Sequence, residues 1–132
     1  MAKSNARRAN SSRRNAARSR VRARDTCCWI CGLPIDYSLP ARDAQAYEAD
    51  ELIPVSLGGS PYDTANISAA HRCCNNWRRA RSVEYVRAVQ SQLAKLKAQW
   101  FNPQQFVRAA QALELHKRDF VQFEPPTTTT DW

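Results

Sequence analysis

Apolar positions fall into two regimes along this chain. From Val83 they recur at steps of three and four, through Val86, Val89, Leu93 and Leu96 to Trp100, the spacing of one stripe along an α-helix. FNPQQF then interrupts the pattern. Asn102 suits a helix cap and Pro103 the first helical position, and Phe106, Ala110 and Leu113 continue an apolar face on the next helix. A helical extension is therefore expected over 82–121, its stripes serving as core or as a homodimer seam. EPPTTTTDW cannot be helical and predicts an extended tail over 122–132.

Upstream the periodicity is short and broken. AYEADELI (46–53) reads as a strand ending at Pro54, and SLGGSPYD (56–63) is turn chemistry. NISAA (66–70) can pair back as a second strand, and HRCCNNWRRAR (71–81) reads as a helix. The expected fold class is thus α+β, with a small strand-strand-helix core over 21–81.

Charge adds a distinct segment. The chain of 132 residues carries 20 basic and 12 acidic residues, a formal charge of +8. Residues 1–25 hold Lys3, Arg7, Arg8, Arg13, Arg14, Arg18, Arg20, Arg22 and Arg24 against Asp25 alone, so the remainder is neutral. Residues 1–20 lack apolar surface and are expected to be a disordered arm that binds nucleic acid and becomes helical against phosphates. No apolar run precedes Val21, which excludes a signal peptide or membrane span there, and no later stretch is long and apolar enough to cross a bilayer. A reducing cytoplasm is the expected compartment, one in which disulfides are rare.

The five cysteines then point to metal. Cys28-Trp-Ile-Cys31-Gly is a CxxC knuckle, and His71-Arg-Cys-Cys74 supplies an HxxC pair. Three thiolates and an imidazole make a common structural zinc site. Cys27 and Cys73 lie beside the chosen cysteines, but a two-residue gap favours Cys28 and Cys74. Between the pairs, Asp50 at a strand end and Asn75 in the first turns of a helix could hold a hard cation across a hairpin. The blander reading gives Asp50 a turn to cap and the asparagines a loop to tie. Arg78, Arg79 and Arg81 would continue down the helix as phosphate clamps.

In this order the pieces resemble the HNH endonucleases, the ββα-metal fold. SRVRARDTCCWICG (19–32) is similar to that family's arginine-rich lead-in and knuckle, ADELIPVSLGG (49–59) to its DHIxPxSxGG element, and NISAAHRCCNNWR (66–78) to its NLxxxHxxCNxxR element. The resemblance implies a metal-dependent DNA nuclease. Asp50 and Asn75 would be ligands of a catalytic Mg2+ or Mn2+, Asn66 would tie the loop to the hairpin, and Cys28, Cys31, His71 and Cys74 would hold structural zinc. It further suggests a bacteriophage setting, beside a DNA-packaging terminase or another DNA-processing protein. The family's general-base histidine is replaced by Glu51, which would act as base or additional ligand, while His116 lies too far along the chain to substitute. Two classes of function follow: a nuclease, or a catalytically silent zinc module that binds nucleic acid or docks on a larger machine. RNA is a third ligand the residues allow.

Overall fold

The computed structural model describes the backbone of residues 2–115 and the side chains of 11–114. The predicted tail, residues 116–121 of the helical extension, and His116 lie outside the described residues. Strands β1 (Tyr47–Glu51) and β2 (Ile67–His71) form an antiparallel hairpin in which Tyr47 faces His71 and Glu51 faces Ile67. Helix α1 (Ala2–Arg24) precedes the hairpin, and α2 (Arg72–Arg78), α3 (Val83–Lys95) and α4 (Pro103–Leu115) follow it. No helix among the described residues is long and apolar enough to cross a membrane.

Helix α1 departs from the disordered arm expected over 1–20. Its anchor is small: Ala17 and Val21, one turn apart, are buried against the hairpin side of the core. Polar contacts close the remainder. The Tyr47 hydroxyl donates to the Arg18 carbonyl at 2.9 Å, and Arg24 donates to the carbonyls of Thr64 and Ile67 at 2.7 and 2.6 Å. The Ala69 amide donates to Asp25, whose carboxyl lies below its usual range because of its hydrogen bond to Arg24.

The apolar stripes face inward within this chain. Val86, Val89 and Leu93 of α3 and Phe106, Ala110 and Leu113 of α4 join Ile30, Ala69, Ala70 and Cys74 in one core. Trp77 of α2 meets Phe106 edge-on at 5.6 Å. The stripe does not run unbroken to Trp100. Helix α3 ends at Lys95, Lys97 takes a left-handed φ of 56°, and Leu96 is left exposed. Trp100 instead folds back, donating its indole N–H to the Cys31 carbonyl at 2.8 Å and packing on Phe106.

One side chain ties the link between the strands. Asn66 donates through Nδ2 to the carbonyls of Ile53 and Ser60 and accepts from the Ile53 amide through Oδ1, at 2.9–3.0 Å. Gly59 permits this closure, because a Cβ there would lie 1.8 Å from the Ile53 carbonyl oxygen. Gly59→Ala is therefore expected to lower stability by about 1–3 kcal/mol, the usual cost of forced overpacking. A thermal or urea melt at wild-type midpoint would contradict so tight a contact.

Candidate metal centre and hairpin end

The knuckle, the end of β2 and the first turn of α2 deliver Cys28, Cys31, His71 and Cys74 to one point. One ligand atom from each lies within 4.8 Å of all the others, and all four residues are buried. Gly32 makes the knuckle's turn at a φ of 80°, a backbone region favourable to glycine. The Cys28 sulfur accepts from the Ile30 and His71 amides at 3.4 Å. His71 Nε2 lies 3.0 Å from the Pro34 carbonyl. That acceptor assigns the proton to Nε2 and leaves the Nδ1 lone pair for a metal.

The quartet can hold a metal ion, and its donors suit zinc. Zinc bound there would supply folding energy and take no part in a reaction. Without an ion, burial lowers the His71 pKa, but the hydrogen bonds with Cys28 and Cys31 outweigh it and push it up to about 10. Cys27 is exposed and Cys73 half-buried, and both are free thiols outside the quartet.

Strand alternation decides the chemistry of the hairpin end. Successive strand side chains point to opposite faces, so Glu48 and Asp50 turn toward α2 while Ala49 and Glu51 turn toward α1. Asp50 is buried, and its Oδ2 accepts from Arg78 at 2.7 Å and from the Trp29 indole at 2.8 Å. Burial nevertheless pushes the Asp50 carboxyl up, against the pull of Arg78 and Trp29. Asn75 donates to Glu48 at 2.9 Å. As arranged, Asp50 is engaged by Arg78 and Trp29, and Asn75 by Glu48.

Arg78 corrects a second expectation. It is 1% exposed and cannot clamp a phosphate. Its guanidinium rivets α2 to the strand end, donating to Asp50, to the Glu51 and Leu52 carbonyls and, through Nε, to the Arg81 carbonyl. Arg81 pairs with Glu114 at 2.6 Å, whereas Arg79 is exposed. On α1, Arg13, Arg14, Arg18, Arg20, Arg22 and Arg24 are all exposed. Arg13 stacks 4.0 Å over the Tyr62 ring, and Arg22 lies 5.2 Å from that of Tyr37.

On the α1 side, Glu51 borders a cavity of about 150 Å3 with Arg14, Arg18, Ala49, Pro61 and Ile67. Its Oε2 is buried and has no hydrogen-bond partner among the described residues. Sequence reasoning missed Glu48 and Trp29. The signal for Glu48 was its place two residues before Asp50, on the same strand face; nothing local marks Trp29 as a partner of Asp50. Comparison with protein-family models, with curated proteins and with solved structures gives no match to this chain.

Proposed function

We propose that this chain is a phosphodiester hydrolase acting on DNA, a zinc-stapled hairpin and helix of the HNH kind. One observation carries the reading: Glu51 borders a cavity with Arg14 and Arg18 of α1, at the end of a hairpin tied by Asn66, and one of its carboxylate oxygens is buried with no partner among the described residues. A buried polar atom left unsatisfied is costly and calls for a partner such as a water, an ion or a substrate. In this reading Glu51 takes the proton of an attacking water. The water oxygen bonds to phosphorus, the bond from phosphorus to the leaving sugar oxygen breaks, and that oxygen takes a proton from solvent.

The ion pair of Asp50 with Arg78 favours a second reading, a nucleic-acid-binding module without hydrolysis, because it closes the α2 face to a cation. Relaxation of supercoiled plasmid by the zinc-loaded protein decides between them, run in Mg2+, in Mn2+ and without either. Wild type should nick, and Glu51→Gln should slow nicking by about 10²–10⁴-fold, the range for loss of a general base, while still retarding the plasmid on a gel. Retardation without nicking favours the binding module, above all if Glu51→His then cuts. Nicking that requires Mg2+ or Mn2+ would add a catalytic cation to the hydrolase reading.

A further inference from the structure

We infer that Arg14 and Arg18 form, with Glu51, a pocket for one internal phosphodiester group, so that α1 is a wall of the site. For the identity of the phosphate this rests on the nuclease reading; the pocket itself rests on geometry. Arg14 and Arg18 stand four residues apart and so share one face of α1. Ala17 and Val21 press that helix onto the hairpin, and the Tyr47 hydroxyl holds the Arg18 carbonyl. Both arginines thereby reach the cavity that Ala49, Glu51 and Ile67 border from the strands. At about 150 Å3 it has room for several waters at about 30 Å3 each, or for one phosphate group with a water beside it.

Charge selects the ligand. Two guanidiniums and one carboxylate leave the pocket one positive charge in excess. A phosphodiester brings one negative charge and two non-bridging oxygens, matching one guanidinium each. A terminal phosphate approaches two negative charges at neutral pH and would set its excess charge against Glu51. Glu51 borders the same space, and a water beside the diester can donate to its carboxylate. The pocket therefore favours a phosphate within a strand over a phosphate at its end.

The test is binding, followed by amide chemical shifts of the zinc-loaded full chain. The probes are a thymidine dinucleotide with one internal phosphodiester and no terminal phosphate, and thymidine 5′-phosphate. The dinucleotide should shift the amides of Ala49, Glu51 and Ile67. Arg14→Gln and Arg18→Gln should each weaken it about tenfold, the loss of one charge-assisted contact, while Arg108→Gln on α4 should leave it unchanged. Glu51→Gln should raise the relative affinity for thymidine 5′-phosphate. Dinucleotide binding indifferent to Arg14 and Arg18, no shifts at the three amides, or preference for the monophosphate by wild type would each overturn the pocket. Binding as described with an uncut plasmid would remove the nuclease reading and leave the pocket. A cut plasmid with no role for Arg14 or Arg18 would do the reverse.

Discussion

Cys74→Ser is expected to abolish cooperative folding of the hairpin and α2. Cys74 is fully buried among Cys28, Cys31 and His71, at the one place where the knuckle, β2 and α2 meet. Structural zinc is worth about 10–16 kcal/mol in isolated zinc-finger peptides, as much as the whole stability of a typical domain, about 5–15 kcal/mol. A chain this small has little core to offset such a loss. The wild type should bind one zinc per chain and melt in a single transition that chelation removes. Cys74→Ser should lose the tight zinc and the transition together, while Cys73→Ser, one residue away but outside the quartet, should keep both. Metal analysis and circular dichroism of the three proteins settle the point. A cooperative melt for Cys74→Ser at the wild-type temperature would show that the quartet does not staple the fold.

Arg78→Met is expected to cost about 3–5 kcal/mol, the usual loss when one member of a buried ion pair is removed. The variant leaves Asp50 buried with only the Trp29 indole, and it strips donors from the Glu51, Leu52 and Arg81 carbonyls. The pH dependence gives a signature. Burial already holds the folded-state carboxyl of Asp50 above its ordinary value of 3.8, and removing Arg78 raises it further. A carboxyl whose folded pKa exceeds its unfolded one destabilises the fold above that folded pKa, and the penalty shrinks as pH falls through it. The deficit of Arg78→Met should therefore narrow on acidification, and Asp50→Asn added to it should recover part of the loss at neutral pH. Urea melts across pH measure both. A variant of normal stability that binds DNA more weakly would return Arg78 to the role of a phosphate clamp.

The parts legible in the sequence are those set by short spacing. Two ligand pairs, each with a two-residue gap, marked the quartet because a single turn brings such residues together. Gly58, Gly59 and Pro54 marked the link between β1 and β2, and each strand was read to within a few residues. What escaped depends on contacts made at long range. An arginine run reads as a cationic surface whether or not one member is buried, and only the packed structure separates Arg78 from Arg79. Helix α1 was unreadable as a docked element because Ala17 and Val21 are too few to give a stripe. The end of α3 escaped because a lysine, with neither glycine nor proline beside it, carries the left-handed turn. The division of Asp50 from Glu51 was legible in principle, since adjacent strand residues cannot share a face, but the motif as a string joins them.

The docking of α1 has a consequence for how the molecule meets a polyanion. The net charge of the sequence sits in residues 1–25, nearly all of which form this helix, and the rest of the chain is neutral. Arg13, Arg14, Arg18, Arg20, Arg22 and Arg24 stand exposed on a helix anchored at Ala17 and Val21, so the described part of that charge lies on one side of the body and gives it an electric moment. On a nucleic acid, the partner proposed above, that moment would exert a torque turning α1 and the hairpin end beneath it toward the strand before contact. Encounters would then arrive already oriented, and their rate would fall with ionic strength more steeply than that of a protein with the same charge spread evenly.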